Sequence, residues 1–290
     1  MIHSFETEYR WRKTGTTNAA ALFLRSREAY CVAAAARFLQ ASDASPMSDA
    51  GDQVWTLQDP KGRIIALLIY SKRTLFPILN GKSDIRIPRS IERFFKKAEI
   101  HAIQGIRREA ETLETYLRPL GIAAAEKIDY DLMSLDRSPN PSSLSKGPRK
   151  LVLRTPAPAD TDTLFRLQSA YEQEEVLPPG TEFYPAACRL SLEHIIAHER
   201  ILIAELEGRI IGKINTSAAS FSRRQIGGVY ILPEYRGLGI ASRLTATFVR
   251  DIIAEGKGVT LFVKKLNLSA RSVYRRIGFI TLEDYRISYY

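Results

Sequence analysis

Two glycines in the C-terminal half of the chain, Gly237 and Gly239, separate an apolar run from a helical pattern. The apolar run ends at Leu232, and the helical pattern begins at Ile240. Glycine has no Cβ, so its backbone can adopt positive φ and approach a ligand closely. The N-terminus of the following helix carries unpaired N–H groups and the positive end of the helix dipole. These features predict that the amides of residues 237–242 surround a diphosphate group.

The helix after the glycines is predicted by apolar residues at every fourth position. They are Ile240, Leu244, Phe248 and Ile252. Gly256 marks the C-terminal end of this helix. A glycine pair before a helix is also common in simple turns. A dinucleotide-binding fingerprint has a further glycine where this chain has Ser242, and a P-loop ends in Gly-Lys followed by Ser or Thr. The loop fits neither of these two classes.

A second segment with regular spacing follows a β-rich run at residues 259–263 and contains Asn267, Ala270, Tyr274, Gly278 and Phe279. Together the two segments resemble the GNAT superfamily of acyl-CoA-dependent N-acetyltransferases. The family signature Arg/Gln-x-x-Gly-x-Gly/Ala is matched by residues 236–241. The family segment Asn-x-x-Ala-x-x-x-Tyr-x-x-x-Gly-Phe is matched by residues 267–279.

The resemblance implies that acetyl-CoA is the co-substrate and that no metal takes part. The signature would bind the coenzyme A pyrophosphate, and Asn267 would bind the pantetheine arm, cap a helix, or do both. The residues expected to contact the coenzyme are Ile231, Arg236, Gly237, Leu238, Gly239, Ile240, Ala241, Ser242, Asn267, Ala270 and Tyr274.

The resemblance also assigns catalytic roles. In the family, a backbone N–H of the strand before the loop holds the thioester carbonyl, which here points to Ile231. The family tyrosine that protonates the departing thiolate corresponds to Tyr274, whose unperturbed pKa near ~10 keeps the hydroxyl protonated at neutral pH. The alternative is that Tyr274 is a packing residue on an amphipathic helix.

The general base is not evident from the motifs. Many GNAT enzymes carry a carboxylate on the strand before the loop, but residues 225–231 contain none. Glu172 and Glu175 lie in the region that walls the acceptor pocket in this family, so either could bind the ammonium group or deprotonate it through water. A solvated acidic helix end is an equally good interpretation of these residues.

The expected fold is α/β (α+β). Residues 149–290 are predicted to form a catalytic GNAT domain, with a mixed central sheet flanked by helices. Residues 137–148 are rich in Pro and Ser and are predicted to be a linker. Residues 1–136 are predicted to form a second α/β domain, which faintly echoes the C-terminal pattern. Residues 84–90 have no glycine pair where a phosphate loop would lie. The first half is therefore predicted to be a degenerate GNAT-like domain or an unrelated α/β domain.

Composition limits the classes of partner. The 290 residues include 42 Lys and Arg against 32 Asp and Glu, which gives a formal net charge of +10. This excess is spread along the chain, so it favours a solvated surface that attracts anionic ligands over a nucleic-acid site. The two cysteines have no metal spacing, and His194 with His198 is best explained as an ordinary helix face. No apolar run reaches membrane-spanning length, so we expect a soluble cytoplasmic protein without a membrane partner.

The function predicted from these features is acetyl transfer from acetyl-CoA to a primary amine of a small molecule or a peptide. A non-enzymatic acyl-CoA sensor is the alternative, because no base is evident and a further domain is present. A nucleic-acid-binding module is suggested by charge alone. The motifs do not define the acceptor or the oligomeric state.

Overall fold

A computed structural model describes residues 9–43, 52–81, 86–177 and 180–290 of the chain. The chain divides into two compact units. The first contains Met1–Leu132 together with Leu282–Tyr290, and the second contains Met133–Thr281.

The first unit is a mixed sheet with helices. Its strands are β1 (Arg10–Lys13), β2 (Gln53–Gln58), β3 (Ile64–Ser71), β4 (Thr74–Ile78), β5 (Ala102–Ile106), most of β6 (Glu126–Leu135) and most of β12 (Ile280–Tyr289). Its helices are α1 (Asn18–Arg25), α2 (Val32–Asp43), α3 (Arg89–Phe95) and α4 (Arg107–Leu117). The strand order is β1-β2-β3-β4-β5-β12-β6.

The first unit contains a β-hairpin formed by β2 and β3. β2 and β3 pair in antiparallel register, and the turn between them contains Gly62 at φ +77°. Apolar side chains of this sheet and of α3 and α4 form a buried cluster that includes Trp55, Leu68, Phe95 and Leu113. The strands β3 and β4 are almost continuously apolar and buried, as is typical of strands covered on both faces, and this cluster covers one of those faces.

The second unit holds the predicted signature. Its strands are β7 (Leu151–Arg154), β8 (Ile201–Leu206), β9 (Arg209–Ala219), β10 (Arg223–Ile231) and β11 (Gly258–Lys264), in the order β11-β10-β9-β8-β7. Its helices are α5 (Pro141–Leu144), α6 (Thr161–Tyr171), α7 (Pro185–His198), α8 (Ile240–Ala254) and α9 (Leu268–Ile277). A π-helical segment, Glu172–Val176, continues α6.

The predicted helix after the glycines is confirmed as α8. The four residues that predicted it, Ile240, Leu244, Phe248 and Ile252, are all buried in the core of the second unit. Gly256 adopts φ +73° just beyond the helix, which suits a C-terminal stop. The helix therefore places its apolar stripe on the sheet and its N-terminus beside the loop.

The two units divide the chain differently from the predicted domains. The stretch at 137–148, predicted to be a linker, lies inside the second unit, where Leu144 packs on the core and the Asn140 side-chain amide donates to the Arg276 carbonyl at 2.7 Å. A single apolar residue in a Pro- and Ser-rich stretch is enough to anchor it, although it gives no periodic signal.

The C-terminal end of the predicted domain 149–290 also belongs to the other unit. Most of β12 belongs to the first unit, where Tyr285 pairs with Ile106 of β5. The alternation of a strand predicts that it enters a sheet but does not select its neighbour, because backbone pairing is independent of side-chain type.

The region of the first unit that would correspond to a phosphate loop is partly described. Residues 84 and 85 lie outside the described residues. The described part leads into α3, whose N-cap is Pro88 in extended conformation, with no side-chain cap hydrogen bond.

Candidate active site

The candidate site begins where two parallel strands separate. β10 and β11 pair only from Arg223 opposite Gly258 to Gln225 opposite Thr260, although both strands continue beyond this point. On its other edge, β10 stays paired with β9 as far as Ile231 opposite Gly212. The second half of β10 therefore has one edge free to bind a ligand through its backbone.

The Ile231 N–H lies on this free edge. The next residue, Leu232, donates its N–H to the Ile211 carbonyl of β9 at 2.9 Å. Neighbouring residues of a strand direct their backbone groups to opposite edges, so the groups of Ile231 face away from β9. The Ile231 carbonyl also faces away from β9, since it accepts a hydrogen bond from Nε of Arg236 at 2.9 Å.

The loop after β10 adopts the conformation that its glycines predict. Gly237 and Gly239 have φ of +79° and +80°, and Gly239 is the N-cap of α8. A Cβ on Gly239 would lie 3.2 Å from both the Gly147 nitrogen and the Lys146 Cβ, so the loop packs against the stretch before β7. The amides at the start of α8 are thereby presented as an anion-binding surface.

A pocket of about 330 Å³ joins the loop, the free edge of β10 and α9. Its walls include all but one of the residues predicted to contact the coenzyme. The exception is Leu238, which is half exposed at the loop tip. The lining residues are Glu174, Glu175, Val229, Tyr230, Ile231, Tyr235, Arg236, Gly237, Gly239, Ile240, Ala241, Ser242, Asn267, Ser269, Ala270, Val273, Tyr274 and Arg276.

The stretch of the second unit that lines the pocket matches a known family. Residues 162–279 match the acetyltransferase (GNAT) family. This segment is a GNAT acetyltransferase domain. The family uses acetyl-CoA as co-substrate, so family and fold support an acyl-CoA-dependent N-acetyltransferase in general. The chain has no significant match among curated proteins.

Solved structures with a similar fold cover almost the whole chain. A GCN5-related N-acetyltransferase from Sphaerobacter thermophilus is 18% identical, with a TM-score of 0.58 over 97% of this chain and 94% of that one. A tandem GNAT protein from the clavulanic acid biosynthesis pathway, solved without acetyl-CoA, is 13% identical, with a TM-score of 0.57 over 97% and 98%. A Drosophila protein is 12% identical, with a TM-score of 0.62 over 97% and 98%. The fold of the chain is thus shared with GNAT proteins, tandem ones included.

Arg236 of the GNAT signature forms an ion pair across the pocket. Its two terminal nitrogens each donate to one Glu174 carboxylate oxygen at 2.8 Å, and its guanidinium lies 5.3 Å from the Tyr230 ring centroid. The hydrogen bonds from Arg236 lower the pKa of Glu174. Glu174 keeps its charge at neutral pH as a result. It was not among the predicted site residues, since only the fold brings it to Arg236.

Asn267 links α9 to the acidic segment. Its side-chain oxygen accepts the Ala270 N–H at 3.0 Å and so caps the helix, while its amide donates to Oε1 of Glu175 at 3.0 Å. Nζ of Lys264 lies 3.9 Å from Oε2 of the same glutamate. Burial raises the pKa of Glu175, and the positive charge of Lys264 partly opposes this effect.

Tyr274 lies on the buried side of α9 and lines the pocket. Its ring packs edge-on against Phe279, with centroids 5.9 Å apart. Burial raises the pKa of the Tyr274 hydroxyl, and the nearby Tyr171 and Glu175 raise it further. The hydroxyl is therefore protonated throughout the neutral range and can act as a donor.

Glu172, the other predicted acidic residue, is placed differently from Glu175. It does not line the pocket, and its Oε1 accepts from the Gln168 amide at 2.8 Å. It faces Lys213 of β9, a residue that the motifs did not single out. Two features of the sequence could have identified Lys213. It is a lysine inside an apolar strand, and the next strand contains the glycine pair Gly227 and Gly228, which is typical of a β-bulge.

Among the described residues, no group of three or more His, Cys, Asp or Glu side chains is arranged to hold a metal ion. The His194 and His198 rings are 4.6 Å apart on α7. None of the described helices has the length and apolar character needed to cross a membrane.

Proposed function

We propose that the GNAT domain transfers an acetyl group from acetyl-CoA to a primary amine of a small molecule or peptide by direct attack. The observation that carries this proposal is the pocket in which the glycine loop, the free edge of β10 and α9 meet. Each of the three surfaces suits a different part of the reaction.

The coenzyme pyrophosphate would bind the amides of residues 237–242. These amides lie at the start of α8, where the helix dipole favours negative charge. The pantetheine arm would lie along the free edge of β10, where it can exchange hydrogen bonds with the strand backbone, and Asn267 would contact it from α9.

The Ile231 N–H would hold the thioester carbonyl. Attack by the amine forms a C–N bond at the carbonyl carbon and moves negative charge onto the carbonyl oxygen. A preorganised N–H directed at that oxygen typically contributes about a hundred- to a thousandfold in rate. The donor suits this role because it belongs to a paired strand and needs no rearrangement.

Tyr274 would act as the general acid. When the C–S bond breaks, the thiolate of coenzyme A takes the Tyr274 proton. A buried hydroxyl with a raised pKa stays protonated until this step, and negative charge on the leaving sulfur then draws the proton.

Glu175 would bind the incoming ammonium group and accept its proton, directly or through water. It lines the same pocket as Tyr274, and its raised pKa makes it a stronger base than an exposed glutamate. Glu174 and Glu175 form the acidic wall of the pocket, but Arg236 balances the charge of Glu174, so Glu175 would be the carboxylate that attracts a cationic amine. Glu172 would act only indirectly, since it lies outside the pocket lining.

A transfer assay tests the proposal. Acetyl-CoA is mixed with a panel of primary amines, and released thiol and acetylated amine are measured together. Gly237→Asp introduces a carboxylate into the phosphate loop, where an added Cβ meets open space. We expect turnover at sub-saturating acetyl-CoA to fall at least tenfold, because like charges repel.

Gly256→Asp is the matched control. Gly256 has a similar positive φ, also has open space around a Cβ, and lies at the other end of α8. We expect this variant to keep wild-type turnover. Equal losses in the two variants, or no acetylated amine from any member of the panel, would contradict the proposal.

A further inference from the structure

Lys213 is a buried lysine that the proposed chemistry does not use. Only 1% of its surface is exposed, and it lies in the middle of β9. It does not line the pocket. Lysine is almost never fully buried without compensating partners, because removing its charge from water is costly. Its place in the GNAT domain therefore calls for an explanation.

The surroundings of Lys213 are those of an ammonium group. Its Nζ donates to Oδ1 of Asn215 at 2.9 Å and to the Gly228 carbonyl at 3.2 Å. The same nitrogen lies 5.1 Å from the centroid of the Tyr171 ring, which attracts a cation through its face. Each of these partners accepts a hydrogen bond or attracts positive charge.

Two titratable groups face Lys213 from neighbouring elements. They are Glu172 of the π-helical segment and Cys188 of α7. Burial lowers the pKa of Lys213, and the nearby Glu172 and Cys188 oppose part of this shift. The resulting pKa is about 7. The ammonium form thus gives way to the neutral amine within the range in which enzymes normally work.

Gly228, the backbone partner of Lys213, lies at a β-bulge. The register of β10 against β9 shifts between Gly227 and Tyr230, and Gly228 has φ +60°. A Cβ on Gly228 would lie 2.0 Å from Oδ1 of Asn215 and 2.6 Å from Nζ of Lys213. The lysine and the asparagine therefore occupy the space beside the bulge that a larger residue would need.

The bulge controls the part of β10 that lines the pocket. An extra residue in one strand changes which backbone groups face each edge from that point onward. Val229 and Ile231 follow the bulge and line the pocket. The direction of the Ile231 N–H thus depends on the geometry at Gly228.

We propose that Lys213 is a positioning residue for acetyl transfer, whose ammonium group holds the Gly228 carbonyl and thereby fixes the bulge that directs the Ile231 N–H at the thioester. This inference rests on the proposed function. Lys213 acts through the backbone and does not touch the substrate. Deprotonation removes one donor and the positive charge, so the contribution of Lys213 declines as pH rises through its pKa.

Lys213→Met tests the inference. Methionine has a similar length and keeps the apolar stem, but it removes both the charge and the donor to Asn215 and Gly228. We expect kcat at pH 6 to fall by about 10- to 100-fold, while the Kd for acetyl-CoA changes less than about threefold. The ratio of wild-type to variant kcat should decline as pH rises through 7. A purely structural role would instead lower thermal stability and kcat together, without this pH dependence.

Lys257→Met is the matched control. Nζ of Lys257 also donates to a backbone carbonyl, that of Phe221, at 3.4 Å, but it lies before β11, where β10 and β11 are still paired. We expect its kcat and pH profile to match those of the wild type. A loss equal to that of Lys213→Met would overturn the inference.

The carbonyl 13C resonance of bound [1-13C]acetyl-CoA gives a readout that needs no acceptor. A hydrogen bond to the carbonyl shifts this resonance downfield in the wild type, and we expect it to move back towards the free value in Lys213→Met. An unchanged resonance and kcat in Lys213→Met would overturn the role of Lys213 alone. A wild-type protein that neither binds nor consumes acetyl-CoA would overturn the proposed function and, with it, this inference.

Discussion

In each unit of the molecule the regular pairing of two parallel strands ends part-way along the strands, but among the described residues only the pair in the second unit opens a sizeable pocket. In the first unit, β4 and β5 pair at Thr74 with Ala102 and at Leu75 with Ile103, and their paired register ends there. The space beyond is about 10 Å³, against about 330 Å³ beside β10. The smaller volume has room for about one water molecule, which is too little for a coenzyme.

Side chains fill the gap in the first unit. Phe76, Pro77 and Tyr285 line it, and a Cβ on Gly105 would lie 3.2 Å from the Pro77 carbonyl oxygen. The two regions also differ in how the following helix starts, since α3 is capped by Pro88 and α8 by Gly239 at φ +80°. The comparison teaches that the two regions differ in two respects: an open pocket and a glycine loop follow the pairing of β10, whereas side chains occupy the space beside β4 and α3 starts at a proline. We propose that the first unit is a degenerate GNAT-like domain that does not bind acetyl-CoA.

The largest expected effect is the loss of kcat when a buried tyrosine of the open pocket is replaced, compared with a buried tyrosine of the filled gap. Tyr274→Phe removes the proposed acid, so we expect kcat to fall by about 100-fold or more, with the Kd for acetyl-CoA nearly unchanged. Tyr285→Phe, in the filled gap of the first unit, should leave kcat at the wild-type value. Steady-state kinetics combined with direct binding measurements check both variants. Equal kcat for Tyr274→Phe and the wild type would remove the acid assignment.

The next effect concerns the acidic wall of the open pocket. We expect Glu175→Gln to lower kcat/KM by about 10- to 100-fold at neutral pH, because the amine loses its proton acceptor. In the wild type, kcat/KM should rise with pH through the raised pKa of Glu175, and this acidic limb should be absent from the variant. Glu193→Gln on the exposed face of α7 serves as the control and should keep the limb. An unaltered profile in Glu175→Gln would show that another group or water accepts the proton.

The smallest effect is on stability and concerns the buried charge behind the open pocket. The pKa of Lys213 is about 7 in the folded protein and near its ordinary value of 10.5 when unfolded. Below pH 7 both states are protonated and the folded state bears the full cost of burial. Between these two values the unfolded state binds more protons, so folding becomes more favourable as pH rises.

Lys213→Met lacks this linkage. We expect the free energy of unfolding of the variant relative to the wild type to fall by about 1 kcal/mol between pH 6 and pH 8, because only the wild type gains stability over this range. Denaturant titrations at several pH values measure the difference. A difference that is independent of pH would show that the charge of Lys213 has no energetic role.

The sequence predicted the parts of the site that depend on local order. Gly237, Gly239 and the stripe of α8 act within one loop and one helix, and the Asn267 cap spans three residues. Helix caps and apolar stripes depend on residues that are close in the sequence, so the sequence alone predicts them. The helix after the glycines and the β-rich run at residues 259–263 were predicted for the same reason, whereas α5 lies in the stretch predicted to be a linker.

Contacts between distant segments were not predicted. Glu174 reaches Arg236, and Lys213 reaches Gly228, only after the strands and the π-helical segment have packed. The pairing of Tyr285 with Ile106 likewise depends on which strand edge is available. Neither the charge of a residue nor its periodicity specifies such a partner, so these features required the fold.

Calorimetric titration of the full chain with acetyl-CoA tests the difference between the two regions most directly. The open pocket predicts micromolar binding of one equivalent per chain, and Gly237→Asp should weaken that binding by at least tenfold. Two equivalents per chain would contradict the claim that the gap in the first unit is closed. No binding, or binding unaffected by Gly237→Asp, would contradict the assignment of the coenzyme to the loop before α8.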